Sequence, residues 1–232
     1  AQSYRMSQLR RHIPNLRQRF ESLSGSDGLF PILSKRQMEY IQSSTIPNTK
    51  KSSAKEAAVL IPLIEIQNEI HILFTKRSLT MRSHKAEIAF PGGGREVSDG
   101  TLMDTALREA SEELQHSSSI DWTPIGICAP VPSLYGVPVT SVLAVHTLPI
   151  TDVSTTFPGC PKEVDRVFSV RLETLLENET SKPLGRLGSP APVYNVEGEE
   201  IWGLTAFILR PILRKILMPV LRTNTFEDAT FL

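Results

Sequence analysis

Cysteine is scarce in this 232-residue chain, which has only Cys128 and Cys160. Two thiols cannot build a disulfide framework, and they are too few for a cysteine-ligated zinc site. Both sit in apolar or turn contexts where no chemistry is expected of them, and a reducing compartment follows. An excess of one charge is also missing: 25 Lys+Arg stand against 25 Asp+Glu. Proteins whose main partner is nucleic acid or a membrane surface show a basic excess, so neither partner is expected. Long apolar runs are absent as well. The most hydrophobic stretch, Gly203 to Leu221, is cut by Arg210, Pro211, Arg214, Lys215 and Pro219, and reads as amphipathic rather than membrane-inserted. No internal repeat is present.

What remains is an ordinary globular mixture, long enough for one domain of roughly 150–200 residues and an extension. The charge is unevenly spread. Residues 1–54 hold nine bases (Arg5, Arg10, Arg11, Arg17, Arg19, Lys35, Arg36, Lys50, Lys51) against Glu21, Asp27 and Glu39, a net +6. The first 20 residues carry five of those arginines and no acid, with Met6, Leu9, Ile13, Leu16 and Phe20 at helical spacing. Such a segment resembles a mitochondrial transit peptide, which makes a mitochondrial location the expectation. An ordinary surface helix, interrupted by Pro14, is an equal reading. Cytoplasmic and peroxisomal locations stay open, the latter without a Ser-Lys-Leu ending. The Ser/Thr/Asn/Lys-rich stretch 42–53 reads as a linker. The expected division is therefore a basic extension over 1–54 and one globular domain over 55–225.

Within that domain, Ala57–Leu63 and Ile70–Thr75 read as buried strands joined by a turn at Gln67-Asn68-Glu69. A polar, basic loop follows from Lys76 to Ala89, then Phe90-Pro91-Gly92-Gly93-Gly94. A helix is predicted to start near Thr101, with Asp104 completing a capping box. Met103, Ala106, Leu107, Ala110 and Leu114 form its buried face. Strands are predicted at Trp122–Cys128 and Pro138–Leu148, and helices at Leu172–Glu177 and Gly203–Leu217, the last broken by Pro211. Strands with a few helices and no regular alternation predict an α+β domain built on a mixed sheet.

The chemistry concentrates in Arg108-Glu109-Ala110-Ser111-Glu112-Glu113. On a helix, positions 109, 112 and 113 bring three carboxylates to one face, and their repulsion weakens the helix unless something neutralises it. Hard carboxylate oxygens suit Mg²⁺ or Mn²⁺, which accept phosphate oxygens as further ligands. Arg108 can steady Glu112 at i+4. Glutamate-rich helix faces are common and usually just solvated. Here, however, three glycines precede the helix, and glycine lets backbone approach a ligand closely. Glycines leading into a metal-binding helix point to pyrophosphate handling.

These residues resemble the Nudix box, G-x5-E-x7-R-E-U-x-E-E-x-G-U with U aliphatic. Gly94 and the 108–113 core match it, whereas Gly100 and Gln115 stand where a glutamate and a glycine belong. Upstream, Leu73-Phe74-Thr75-Lys76-Arg77-Ser78, then Met81, His84, Ala86, Glu87 and Phe90-Pro91-Gly92-Gly93, resemble the segment typical of the coenzyme A diphosphatase branch. Ala86 replaces a glycine there, and Asp99 matches the branch's habit of placing its acid one residue early. Pro161-Lys162-Glu163-Val164 and Ile201-Trp202-Gly203-Leu204-Thr205-Ala206 look like two further signatures of that branch.

The resemblance implies a Nudix fold, a mixed sheet sandwiched between helices. It implies hydrolysis of coenzyme A and acyl-CoA to adenosine 3′,5′-bisphosphate and (acyl-)phosphopantetheine with Mg²⁺ or Mn²⁺. Glu109 and Glu113 become the leading metal ligands, and Glu112 a third ligand or water-orienting group. Glu112, Glu163 and Arg108 form the expected catalytic set, Glu163 as base and Arg108 orienting carboxylates. Arg77, Arg82, Gly93 and Gly94 are expected to bind substrate, with Lys85 a further phosphate partner. Asp99 is expected as a cap or outer acid, His84 as structural, and Trp202 as core packing. Alternatives are another nucleoside diphosphate substrate such as ADP-ribose or NADH, and a catalytically silent nucleotide-binding module. Nucleic-acid binding through the basic extension ranks last, for want of interleaved aromatics. Oligomeric state is left open.

Overall fold

Two apolar runs separated by Gln67-Asn68 fold back on each other as β1 (Ala57–Ile66) and β2 (Glu69–Arg77), an antiparallel pair. Gln67 and Asn68 both take positive φ, 51° and 67°, the left-handed geometry that matches the twist of a tight hairpin. The computed structural model describes residues 8–24, 56–79, 86–116, 121–184 and 189–221.

β1 lies at the centre of an eight-stranded mixed sheet. It pairs in parallel with β7 (Pro138–His146) and antiparallel with β4 (Gly92–Gly94). β2 pairs with β3 (Ile88–Ala89) and β8 (Val164–Arg171), and β7 with β5 (Trp122–Ile127) and β6 (Val131–Pro132). A smaller antiparallel sheet holds β9 (Glu179–Leu184), β10 (Ser189–Val196) and β11 (Glu199–Ile201).

Both faces of the main sheet are covered, which is why β1 is almost uniformly apolar. Ala58, Leu60 and Ile64 pack with Ala106, Ala110 and Leu114 of α3 (Leu102–Leu114). Ile61 and Leu63 belong to the opposite core, with Ile208, Leu209 and Ile212 of α6 (Gly203–Ile212). α3 begins with the predicted capping box: Asp104 N–H donates to Thr101 Oγ1 (3.2 Å), and Thr101 N–H to Asp104 Oδ2 (2.8 Å). Short helices α4 (Val153–Thr156) and α5 (Leu172–Glu177) flank β8. The architecture is the expected α+β Nudix fold, a mixed sheet between helices.

The segment read as an extension is partly a layer of this core. α1 (Gln8–Arg11) and α2 (Ile13–Ser24) bury Leu9 and Leu16 completely, in the same cluster as α6. Leu9 N–H donates to the buried Glu65 Oε2 at 2.7 Å. Arg17 Nη2 donates to Pro124 O (2.9 Å) and Arg19 Nε to Lys215 O (2.8 Å). Gly126 makes room for α2, since a Cβ there would lie 2.5 Å from the Phe20 ring. Pro14 falls in the first turn of α2, where its missing N–H costs nothing. The linker expected over 42–53 lies outside the described residues.

Three elements differ from the sequence expectation. The triple glycine is an edge strand on β1 rather than a loop, and the basic loop shrinks because β2 runs on to Arg77. The C-terminal helix passes through Pro211 without breaking. Its irregularity falls after the proline, as a π-helical turn at Leu213–Leu217 before α7 (Met218–Leu221). Trp202, expected in the core, is 50% exposed at the N-terminus of α6. Among the described residues no helix is long and apolar enough to cross a membrane.

Candidate active site

α3 lies along β1 and β4, which sets its carboxylates beside the glycine strand. Glu113 turns inward and is 3% exposed. Gly92 N–H donates to its Oε2 (3.2 Å), and Arg77 Nη1 stands 3.5 Å from its Oε1. Burial outweighs these two favourable partners and pushes the Glu113 carboxyl up to about 7. The charges of Glu163 and Glu109 push the same way. Glu109 is also raised, chiefly by burial, with Arg108 opposing. Its carboxylate fills the space above Gly93, where a Cβ would lie 2.5 Å from Glu109 Oε2. A side chain at position 93 would displace that carboxylate.

Arg108 organises the rest. Its Nε donates to Asp99 Oδ1 and its Nη2 to Asp99 Oδ2, both at 3.0 Å. Nη2 also donates to Gly94 O (2.9 Å) and meets Glu109 Oε1 at 3.1 Å, while Nη1 reaches Glu112 Oε2 at 3.3 Å. One guanidinium therefore joins the glycine strand, the preceding loop and two α3 glutamates. Asp99 accepts further bonds from Glu96 N–H (2.9 Å) and Thr105 Oγ1 (3.0 Å). The Arg108 fork, followed by these donors, holds its carboxyl far below the ordinary range. Glu112 differs from its neighbours in that its side chain is 61% exposed.

Glu163 approaches from a distant part of the chain, on the exposed turn before β8. Ser78 N–H donates to Glu163 O (2.9 Å), which ties this turn to the end of β2. Its charge is felt at both Glu109 and Glu113. The fold thus brings together Arg77, Gly93, Gly94, Asp99, Arg108, Glu109, Glu112, Glu113 and Glu163. Arg82, His84 and Lys85 lie outside the described residues. Asp99 as the main partner of Arg108 was only half visible in the sequence, because nothing local says which acid the arginine will choose.

The donor set fits a hard divalent cation. Two inward carboxylates with raised pKa and a third at the rim carry repulsion that such an ion relieves. Glu109, Glu113 and Glu112 would hold it.

Residues 54–187 match the NUDIX domain family. A protein of Yersinia enterocolitica called an uncharacterized Nudix hydrolase NudL is 34% identical over 174 residues, covering 73% of this chain and 86% of its own. Its namesake in Yersinia pestis is 34% identical over 166 residues, covering 70% and 80%. Among solved structures, the Nudix hydrolase RenU of M. smegmatis has a TM-score of 0.42 at 18% identity, covering 53% of this chain and 74% of its own. The chain belongs to the Nudix family. It is accordingly a Nudix hydrolase, in a family that generally uses divalent metals such as Mg²⁺ or Mn²⁺.

Proposed function

We propose that this chain hydrolyses the pyrophosphate bond of coenzyme A and acyl-CoA, releasing adenosine 3′,5′-bisphosphate and (acyl-)phosphopantetheine. One observation carries the reading. The two described parts of the segment whose residues resemble the coenzyme A diphosphatase branch, 73–79 and 86–93, lie beside the α3 glutamates. Arg77 N–H donates to Glu87 O (3.0 Å) and Ala86 N–H to Arg77 O (3.2 Å), so the two halves of that segment clasp each other. Phe90 stacks on Phe74 at 5.2 Å and seats Pro91-Gly92-Gly93 against α3. Arg77 Nε is buried with no hydrogen-bond partner among the described residues, a donor suited to a phosphate oxygen.

In this reading water attacks one phosphorus in line, and the bond from that phosphorus to the bridging oxygen breaks. Glu163 takes the proton released by the water. Glu112, held by Arg108 at the rim, orients the water, and Arg77 faces the diphosphate. Gly94, with open space beside it, lets the substrate lie close to the backbone, whereas at Gly93 that space is taken by Glu109. Mg²⁺ or Mn²⁺ held by Glu109, Glu112 and Glu113 would supply charge neutralisation at the pyrophosphate and would make the attacking water more acidic. We also propose a mitochondrial location, tested by imaging a fluorescent fusion of the chain beside a fluorescent protein carrying residues 1–20 alone.

The test is chromatographic product analysis with coenzyme A, ADP-ribose and NADH in parallel, with Mg²⁺ or Mn²⁺ and with chelator. Metal-dependent release of adenosine 3′,5′-bisphosphate, faster than any AMP release, is expected. Faster AMP formation from ADP-ribose or NADH would assign the chain another nucleoside diphosphate. Absence of product from folded protein would leave a nucleotide-binding module.

A further inference from the structure

At the far end of α3, beyond the glutamates, a second cluster of metal-ligating side chains forms. One donor atom from each of His116, Asp121 and His146 lies within 4.8 Å of the others. The three come from separate places: His116 follows the C-cap of α3, Asp121 precedes β5, and His146 ends β7. His116 Nε2 stands 3.1 Å from Asp121 Oδ2, an arrangement that by itself is an ordinary histidine–aspartate pair.

His146 is what that pair leaves unexplained. Its ring is 2% exposed, and Nδ1 lies 2.8 Å from Leu148 O. A carbonyl only accepts, so Nδ1 carries the proton and Nε2 keeps a bare lone pair. That Nε2 is buried and has no hydrogen-bond partner among the described residues. Burial, the largest influence on this ring, favours its neutral form. A neutral imidazole whose other nitrogen is pinned by a backbone carbonyl is the second-shell pattern of metal-ligating histidines. The rings of Trp122 and Phe157 pack edge-on and screen the cluster, at 4.8 and 5.6 Å from the His146 ring.

We propose that His116, Asp121 and His146 form a zinc-class metal site distinct from the glutamate face of α3. Two imidazoles and one carboxylate suit Zn²⁺ with water in the fourth position, whereas Mg²⁺ prefers all-oxygen ligands. Tetrahedral bonds of about 2.0–2.1 Å set ligand separations of about 3.3 Å, so the ion draws the outer donors inward. His116 and Asp121, both partly exposed, supply that movement. The ion staples the end of the glutamate helix to β5 and β7.

The test uses the full chain, stripped with EDTA, and its Glu109→Gln/Glu113→Gln double variant. Each is titrated with Co²⁺, whose visible d–d absorption reports nitrogen–oxygen coordination, and then with Zn²⁺ as competitor. One equivalent of Co²⁺ displaced by Zn²⁺ is expected in the double variant, and the parent is expected to take up that equivalent plus a further one on its glutamate face. Zn²⁺ at a hundred times its Kd is expected to raise Tm by about 5 °C. His116→Gln and Asp121→Asn, at sites exposed enough for the fold to survive, are expected to weaken Co²⁺ binding at least ~10-fold. Binding that disappears in the double variant, or that persists unchanged in both His116→Gln and Asp121→Asn, overturns the proposal. So does a folded double variant that takes up neither ion.

Discussion

Arg108 and Asp99 meet as a two-pronged pair, with Nε–Oδ1 and Nη2–Oδ2 both at 3.0 Å. The remaining guanidinium hydrogens hold Gly94 O and reach Glu109 and Glu112. Asp99, 8% exposed, thus fixes the direction in which the arginine presents itself to the glutamates. Replacing Arg108 by lysine keeps the charge but removes the fork. Arg108→Lys is expected to lower kcat about 10–100-fold, as for supporting residues around a metal. Steady-state kinetics with saturating Mg²⁺ check this, and an unchanged kcat would show the fork to be dispensable.

The α3 glutamates make a sharper prediction. Glu109→Gln, Glu112→Gln and Glu113→Gln are each expected to cut turnover at least ~100-fold while the far-UV circular dichroism stays that of the parent. Near-parent turnover in a folded variant would remove that residue from the metal-binding face.

Stability against pH reads out Glu113 directly. Its folded pKa, about 7, lies above the ordinary glutamate value of about 4.3. Between those values the native state holds a proton that the unfolded chain has lost, so metal-free stability falls as pH rises through this window. Half-buried His12 and His71 and buried His146, with lowered pKa, act in the opposite sense below about pH 6.5. Subtracting the Tm profile of Glu113→Gln from the parent profile isolates the glutamate. That difference is expected to decline from pH 5 to 7.5 and to be restored by Mn²⁺.

Two departures from the Nudix pattern carry a backbone cost. Ala86 and Gln115, which replace glycines of the resembling motifs, both adopt left-handed backbone, with φ of 58° and 53°. A side chain costs roughly 1 kcal/mol in that conformation relative to glycine. Ala86→Gly and Gln115→Gly are each expected to stabilise the protein by about that amount and to add in combination. Urea unfolding of the single and double variants measures it.

The N-terminal helices are expected to behave as core. Leu16→Ala should cost about 2–5 kcal/mol, the range for a buried leucine, where a surface helix would lose almost nothing. Thermal or chemical denaturation decides.

Much of this molecule could be read along the chain because the relevant physics is local. The hairpin at Gln67-Asn68, the capping box of Thr101 with Asp104, and the spacing of Glu109, Glu112 and Glu113 depend on neighbours within a few residues. So does the apolar face of α3, where Ala106, Ala110 and Leu114 are buried as their periodicity predicts. The tertiary structure decided what depends on partners far away in sequence. Helical spacing put three glutamates on one face, but only packing against β1 and β4 buried Glu113, shielded Glu109 and left Glu112 at the rim. Gly92–Gly94 became a strand because β1 offered an edge to pair with. Trp202 is exposed at the N-cap of α6, while Ala206, Ile208 and Leu209 are the α6 residues that enter the core. Leu9 and Leu16 entered the core although their segment reads as an extension. Periodicity marks an apolar face without naming what will cover it. His116, Asp121 and His146 met for the same reason: helix end, strand start and strand end converge only after the sheet has closed.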